Sequence, residues 1–369
     1  MVWSVLFTLL AAGVGPTESF SRAWSLTNAM LASTHVAEAD LLLSSSVTAG
    51  AELAMRECGA QFEHEVWNCP VTAFNMGVER LENNRETAYI HAVISAGVAR
   101  TISRNCSQGA LSHCGCEPRY GRQGNSAEDW QWGGCSDNLQ FGEQISRQFL
   151  DTDTGKPRSL ANLHNNQAGR IAVRKTMKTL CKCHGVSGSC ATQTCWRQLG
   201  DFRDVGAYLK KQYKTAARVD YSNGVLAPER ELEPVTASPP RSNQLVRSAL
   251  HNTVTRGRRT PTSTEEKNKI KARKLVFLQP SPNYCTLNPR LGYKGVAGRT
   301  CNVDMDRDGA EQTEQIRRCT GLCTACGMRA VKRVVEVKSS CNCRFEWCCS
   351  ISCDTCSKKQ IQITCDSRH

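Results

Sequence analysis

Residues 181–190 have the sequence Cys181-Lys182-Cys183-His184-Gly185-Val186-Ser187-Gly188-Ser189-Cys190, and Cys195-Trp196 follows shortly after. Two nested disulfides, Cys181 to Cys195 and Cys183 to Cys190, would close this stretch into a protruding hairpin with a six-residue loop. Gly185 and Gly188 permit positive φ and leave the backbone around Ser187 uncrowded. The stretch therefore predicts a rigid loop that displays the Ser187 hydroxyl where a modifying enzyme can reach it.

The cysteines of the whole chain fall into two groups. Ten of the 22 lie between Cys58 and Cys195, twelve lie between Cys285 and Cys365, and the 89 residues between Cys195 and Cys285 contain none. Such a density is typical of disulfide frameworks that form in an oxidising compartment. The pattern predicts two cysteine-stapled domains joined by a linker.

The N-terminus contains an apolar run, VWSVLFTLLAAGV at residues 2–14, that is too short to span a bilayer comfortably. We interpret residues 1–22 as a secretory signal peptide. A buried N-terminal strand is the alternative, because the run lacks a preceding Lys or Arg. Since no later stretch approaches 18 consecutive apolar residues, membrane attachment would have to come from a covalent lipid or a partner protein.

Residues 23–215 are predicted to form a helical domain. In residues 85–106 the apolar or small side chains recur at the spacing of one helix face, which is a core stripe. These residues are Ile90, Val93, Ile94, Gly97, Val98, Thr101 and Ile102. Weaker helical patterns cover residues 36–56, 141–150, 159–180 and 195–213, whereas residues 115–134 favour a loop or hairpin.

The remaining sequence is predicted to be a linker over residues 216–273 and a small second domain over residues 274–369. Residues 241–274 contain ten basic and two acidic residues, which favours an extended, mobile connection. Arg256-Gly257-Arg258-Arg259 matches a dibasic convertase site, although an uncut basic run is an equal alternative. RVVEVK at 333–338 and QIQIT at 360–364 indicate short antiparallel hairpins. The predicted class is α+β: a helical N-terminal domain with a disulfide-stapled β-hairpin, joined by a linker to a cysteine-rich β-hairpin domain.

The charge balance of the chain is strongly basic, with 47 Lys and Arg against 34 Asp and Glu. On an extracellular protein this surplus favours sulfated glycans, such as heparan sulfate, or anionic membrane surfaces. The sequence contains neither an RNA-binding signature nor a two-Cys, two-His finger. Nucleic acid is therefore not an expected partner.

Several motifs accompany the loop of residues 181–190. They are Trp67-Asn68-Cys69-Pro70, Arg85-Glu86-Thr87, Trp132-Gly133-Gly134-Cys135-Ser136-Asp137-Asn138, Leu163-His164-Asn165-Asn166, Ser340-Cys341-Asn342-Cys343 and Trp347-Cys348-Cys349. Together with CHGVSGSC, they resemble the Wnt family of secreted signalling ligands, and most of all its eighth subfamily. The resemblance extends across nearly the whole mature chain.

The resemblance implies that Ser187 carries a palmitoleoyl ester, added by the membrane-bound O-acyltransferase Porcupine, and that the carrier Wntless exports the acylated protein. It also implies two contacts with the cysteine-rich domain of a Frizzled receptor. One contact contains the acyl group with His184, Gly185, Val186, Ser187 and Gly188. The other contains Phe345, Trp347, Cys348, Cys349 and Ile351, with burial of Trp347 in the core as the alternative. An LDL-receptor-related co-receptor would complete a complex that signals toward β-catenin.

The same resemblance implies the disulfide connectivity outside the loop. The implied pairs in the first domain are Cys58 to Cys69, Cys106 to Cys114 and Cys116 to Cys135. Those in the second are Cys285 to Cys326, Cys301 to Cys319, Cys323 to Cys365, Cys341 to Cys356, Cys343 to Cys353, and the adjacent pair Cys348 to Cys349. This last bridge would stiffen the tip of a hairpin.

Two further sequence patterns, a glycosylation motif and a set of closely spaced cysteines, each allow two interpretations. Asn105-Cys106-Ser107 is the only N-x-S/T acceptor, so we expect a glycan on Asn105 unless Cys106 is bridged first. The spacings Cys323-x-x-Cys326, Cys341-x-Cys343 and Cys353-x-x-Cys356 are also typical of zinc sites. Because the chain has a predicted signal peptide and an even cysteine count, we expect disulfides and no metal.

Two other function classes remain open at this stage. A hydrolase would use Ser187 as its nucleophile, yet the second glycine of a G-x-S-x-G elbow is missing and His184 is poorly placed on so short a loop. We therefore expect no enzyme activity and no cofactor beyond the covalent acyl group. An unacylated matrix protein that binds heparan sulfate is the main rival. In either case the protein is expected to be secreted, in the extracellular matrix and at the cell surface.

Overall fold

The structure is a computed structural model. It describes residues 38–71, 74, 82–117, 130–222, 224–228, 270–289, 292–306, 309–347 and 350–367. The predicted signal peptide, the dibasic motif at 256–259 and the adjacent pair Cys348 and Cys349 lie outside the described residues. None of the helices in the described ranges combines the length and apolar character needed to cross a membrane.

Among its described residues the first domain has five helices, one at the centre and four packed around it. They are α1 (Glu38–Gln61), α2 (Arg85–Ser107), α3 (Leu139–Leu150), α4 (Pro157–Thr176) and α5 (Phe202–Lys214). Helix α2 contains the predicted core stripe and is buried along nearly its whole length, with α1, α3, α4 and α5 packed around it. Asn84 begins it with a capping box, in which its side chain accepts from Thr87 and the Thr87 hydroxyl accepts from the Asn84 backbone.

Two of the predicted helices were too long. The helix predicted over 159–180 ends at Thr176 in the structure. The helix predicted over 195–213 begins only at Phe202, where Asp201 caps α5. The residues between them form β2 (Lys178–Cys183) and β3 (Gln193–Gln198), which pair antiparallel. Cross-strand pairing and the disulfide between Cys181 and Cys195 hold these residues extended, and this long-range constraint overrides their local helical pattern.

Helices α1 and α2 cross at a pair of glycines that lets their backbones approach. A Cβ added at Gly97 would lie 2.3 Å from the carbonyl oxygen of Gly50. Gly97→Ala should therefore destabilise the fold by about 2 kcal/mol, because the extra methyl group must push the two helices apart. Chemical denaturation of the oxidised protein measures this change.

Gly59→Ala is the matched control, since Gly59 lies in α1 and a Cβ there would meet nothing within 4 Å. It should stabilise the protein by roughly 0.5–1 kcal/mol, because alanine loses less entropy in a helix than glycine does. Equal shifts for the two variants would contradict the close crossing.

The chain after α5 is ordered where the sequence predicted a linker. Strands β4 (Ala217–Ser222), β5 (Val225–Pro228) and β6 (Val276–Phe277) form a sheet in the order β5-β4-β6, with β4 and β6 parallel. Val219 of β4 and Val276 of β6 are buried against Ala161 of α4. Residues 217–222 and 224–228, which lie within the predicted linker, therefore pack on the helical domain.

The segment that returns from the linker is also bound to the helical domain. The side-chain amide of Asn165 makes two hydrogen bonds with the backbone of Val276, each 2.9 Å long, and His164 Nε2 lies 2.8 Å from the Lys274 carbonyl oxygen. The buried carboxylate of Glu86 accepts hydrogen bonds from the hydroxyls of Ser281 (2.6 Å) and Tyr284 (3.0 Å). Burial, together with Glu86, raises the pKa of the Tyr284 hydroxyl, which therefore stays a donor. These contacts join residues 274–284, at the start of the predicted second domain, to the helical domain.

In the part of the second domain that the structure describes, a three-stranded antiparallel sheet packs with one helix. The strands are β7 (Thr300–Asp304), β8 (Arg329–Glu346) and β9 (Ser350–Asp366), in the order β7-β9-β8. Helix α6 (Gly309–Thr324) was not predicted. Its buried residues are Cys319, Leu322 and Cys323. Two of these three are cysteines, which the sequence had assigned only to the disulfide framework.

Ten disulfides connect the described cysteines. They join Cys58 to Cys69, Cys106 to Cys114, Cys116 to Cys135, Cys181 to Cys195, Cys183 to Cys190, Cys285 to Cys326, Cys301 to Cys319, Cys323 to Cys365, Cys341 to Cys356 and Cys343 to Cys353. These pairs are the ones that the resemblance implied. All six cysteines with zinc-like spacing are in disulfides, so none of them offers a thiolate to a metal.

Candidate functional site: two exposed hairpins

The first hairpin, residues 178–198, is a two-stranded ribbon fixed at both ends. Strands β2 and β3 pair from Lys178 opposite Gln198 to Cys183 opposite Gln193. The disulfide of Cys181 with Cys195 links one cross-strand pair, and that of Cys183 with Cys190 closes the loop. The ribbon therefore holds its loop by covalent bonds and a hydrogen-bond ladder.

The base of the first hairpin is attached to the helical domain through the motif at residues 132–138. Strand β1 (Trp130–Trp132) pairs parallel with β3, and the Gly133 N–H donates to the Cys195 carbonyl over 3.0 Å. The carboxylate of Asp137 accepts a 2.7 Å hydrogen bond from the Leu199 N–H and another hydrogen bond from the Ser107 hydroxyl. This motif consequently orients the hairpin relative to α2.

The loop of the first hairpin presents Ser187 on a short 3₁₀ turn, Val186–Gly188. Ser187 has φ 58° and ψ 27°, which places a non-glycine residue in the left-handed region, and Gly188 follows with φ 77°. Val186 is 90% exposed, and Ser187 and Ser189 are exposed as well. The turn therefore points an apolar side chain and a hydroxyl into solvent.

Gly185 is required for a different reason from the one predicted. Its φ is −66°, so no left-handed conformation is needed there. However, a Cβ at Gly185 would lie 2.1 Å from the Ser189 Oγ and 2.5 Å from the Ser189 carbonyl oxygen. The Gly185 N–H donates to that carbonyl over 2.8 Å, so the absence of a side chain lets the two ends of the turn meet.

The second hairpin, formed by β8 and β9, carries an exposed apolar tip. Phe345 lies directly opposite Ile351, and the two are 75% and 70% exposed. Trp347 at the turn is 98% exposed, so the alternative that it packs in the core is wrong. Two disulfides, Cys341 to Cys356 and Cys343 to Cys353, cross the ribbon just below this tip.

The predicted glycosylation site lies in the last turn of α2. Asn105 is half-buried, and its Nδ2 donates a 2.9 Å hydrogen bond to the Ser46 hydroxyl. Cys106 is buried and bridged to Cys114. Attachment of a glycan at Asn105 would require its amide to leave Ser46.

The structure also brings together three polar residues whose common role the sequence did not predict. Glu86, Asn165 and His164 had been quoted only as marks of the family, and they proved to fix the chain segment that follows the linker. The sequence offered one signal: an acid and an amide, Glu86 and Asn165, lie in short polar motifs beside helical patterns. Their partners at residues 274–284 could not be inferred from local sequence.

The two hairpins define a class of protein: a disulfide-stapled extracellular ligand that offers exposed apolar tips to a partner. A model of the wnt family matches residues 29–366. Mouse Wnt-8b is 43% identical over 350 residues, covering 94% of this chain and 90% of its own length. Human Wnt-8a is 42% identical over 357 residues, covering 95% and 92%.

The chain belongs to the Wnt family of secreted signalling ligands. Members of this family are ligands and not enzymes. A chain in the solved structure of human WLS in complex with WNT8A is also similar to this protein, with a TM-score of 0.60 and 38% identity, covering 89% of this chain and 96% of that one. The predicted family, the Wnt-8 resemblance and the fold class are thereby confirmed.

Proposed function

We propose that this protein is a lipid-modified ligand that binds the cysteine-rich domain of a Frizzled receptor from two sides and recruits an LDL-receptor-related co-receptor. The resulting complex signals toward β-catenin, since one ligand that holds two receptors raises their effective concentration for each other. The observation that carries the proposal is the bridged turn that presents Ser187 to solvent beside Val186.

The first contact of the proposal is a palmitoleoyl ester on Ser187, added by Porcupine. A chain of this class offers on the order of 10 kcal/mol of gross transfer free energy when it is buried in an apolar groove. Ser189 is the competing hydroxyl, but its Oγ faces the position where a Gly185 side chain would be. Ser187 is exposed on the turn and is the acylated residue in this proposal.

The second contact is the tip of the second hairpin, with Phe345, Trp347 and Ile351 as apolar anchors and Cys348 and Cys349 between the strands. Aromatic residues on rigid loops commonly supply most of the affinity of an interface. Exposure of three large apolar side chains at one bridged tip supports this assignment. His184, Gly185 and Gly188 would contact the receptor around the acyl group.

Other partners complete the proposal. Wntless would carry the acylated protein during export, and the complex of human WLS with WNT8A supports this assignment. Heparan sulfate would retain the protein in the extracellular matrix and at the cell surface through its basic residues. Asn105 would carry a glycan that is added before the Ser46 hydrogen bond forms.

The decisive experiment is mass spectrometry of the protein harvested from producing cells. A palmitoleoyl mass on the peptide that contains Ser187 is the expected result. An unmodified peptide in material that binds Frizzled at full affinity would refute the acylation of Ser187. An unmodified peptide in material that binds heparan sulfate and not Frizzled would favour an unacylated matrix protein.

Gly185→Ala should lower the acylated fraction at Ser187 by roughly tenfold. The added methyl group collides with Ser189 at a cost of about 1–3 kcal/mol, which opens the turn that presents the hydroxyl. Quantitative mass spectrometry of the Ser187 peptide measures the fraction. Gly188→Ala is the control: its positive φ costs an alanine about 1 kcal/mol, but nothing lies within 4 Å. A full acylated fraction in Gly185→Ala would show that the close approach is unimportant.

A further inference from the structure

The first hairpin lies in a long stretch of the chain that has no negative charge. Residues 154–200 contain eight basic residues and not one Asp or Glu. The second hairpin differs, because its strands include Glu336, Glu346, Asp354 and Asp366. The stretch that contains Ser187 therefore carries basic side chains without any acidic side chain beside them in the sequence.

One face of the first hairpin combines this charge with apolar surface. Side chains alternate between the faces of a strand, so Lys178, Leu180 and Lys182 share one face of β2. Their cross-strand neighbours on β3 are Gln198, Trp196 and Thr194. Leu180 is 41% exposed, and both lysines are exposed on either side of it. β2 is an edge strand of its sheet, so no described strand pairs with its outer edge.

We infer that this face, Lys178, Leu180 and Lys182 with Val186 at the tip, docks on a bilayer that displays anionic phospholipid headgroups. The inference rests on the proposed acylation of Ser187. A single fatty acyl chain gives only marginal, reversible membrane attachment, and a basic patch is a sufficient second signal. Leu180 and Val186 enter the boundary between headgroups and acyl chains, and the two ammonium groups lie at the level of the lipid phosphates.

Acidic neighbours limit the strength of this surface. Lys178 Nζ lies 3.1 Å from the Asp204 carboxylate, with both side chains more than half exposed. Arg174 precedes this strand in the sequence and is also exposed, and it pairs with the buried Glu143. Lys182 has no ion pair among the described residues. A basic residue near an anionic surface contributes about 1 kcal/mol to the free energy of membrane binding. Because Asp204 partly neutralises Lys178, the two lysines together contribute less than twice that value.

The test is a vesicle-flotation assay with the full-length secreted protein, on phosphatidylcholine vesicles with or without phosphatidylserine. The variant Lys178→Gln/Lys182→Gln should lower partitioning onto phosphatidylserine vesicles by about tenfold and leave partitioning onto pure phosphatidylcholine unchanged. Raised salt should shrink the difference, since exposed charges are screened.

The matched control is Lys358→Gln/Lys359→Gln, which removes the same charge from two exposed residues of the second hairpin. As with Lys178, one of these lysines has an acidic neighbour: Lys358 Nζ lies 4.0 Å from the Asp306 carboxylate. This variant should partition like the unsubstituted protein. Equal losses for the two variants would show a response to net charge alone and would overturn the inference.

Two further arms separate the competing explanations. Each lysine variant is also made with Ser187→Ala, so that the lysine effect is measured with and without the acyl chain. If the unsubstituted protein proves to carry no acyl group, the proposed function is overturned, while the lysine effect is still measured in the Ser187→Ala background. Elution from heparin is measured in parallel. Weaker heparin binding with unchanged vesicle binding for Lys178→Gln/Lys182→Gln would assign this face to sulfated glycans and overturn its assignment to lipid.

Discussion

Ser187→Ala should weaken binding to the Frizzled cysteine-rich domain by at least 100-fold. The substitution removes the hydroxyl that carries the ester in this proposal, and with it a gross transfer free energy on the order of 10 kcal/mol. Part of that free energy is spent on ordering the chain and the two partners, so the expected loss is smaller than the gross value. Biolayer interferometry on an immobilised receptor domain, at matched ligand concentrations, measures the effect.

The control for this prediction lies in the same loop. Ser189→Ala removes an exposed hydroxyl of the same chemistry two residues away, and it should keep both the acyl group and the affinity. Thermal unfolding of Ser187→Ala should match that of the unsubstituted protein, because Ser187 is exposed and contributes no packing. If Ser187→Ala bound the receptor domain normally while Ser189→Ala did not, the acylated residue would have been misassigned.

Trp347→Ala should weaken the same binding by roughly 100-fold, or about 3 kcal/mol, as is typical for the loss of an aromatic anchor at the centre of an interface. The side chain is 98% exposed in the free protein. Its truncation should therefore leave the free energy of unfolding unchanged, which separates a loss of contact from a loss of fold.

Val334→Ala provides the comparison, because Val334 is 62% exposed on β8 of the same ribbon but lies twelve residues before the tip in the sequence. Its affinity should change by less than about twofold, as expected for a truncation outside an interface. In the double variant Ser187→Ala/Trp347→Ala, the two losses should add, since separate contacts that share no neighbours act independently. A similar loss for Val334→Ala would indicate that the ribbon as a whole, and not its tip, is the contact.

The central helix shows what a periodic pattern predicts well. The stripe from Ile90 to Ile102 predicted a helix over 85–106, and the structure places one at Arg85–Ser107. The pattern failed at residues 178–180 and 195–198, which pair as strands. A short local pattern could not reveal a partner strand 16 to 20 residues away. Nor could it reveal that α6 buries two cysteines.

Some features of the candidate site were likewise predictable from the sequence, and others were not. The spacing of Cys183 and Cys190 around Ser187 was sufficient to predict a closed loop that presents a hydroxyl. The reason for Gly185 was not predictable, because it depends on how closely the backbone of Ser189 returns. The exposure of Trp347 also needed the structure, since an aromatic residue between cysteines is equally consistent with a core position.

The sequence alone determined the family, the bridged loop and the residue at its tip, because these depend on covalent links and residue types at short separations. Tertiary structure alone decided where the chain returns after the linker. Glu86 and Asn165 bind residues 276–284 across more than 100 positions of sequence, and such a pairing arises from packing geometry that no local pattern records. The close crossing at Gly97 has the same origin, since only the meeting of two helices shows which glycine must lack a side chain.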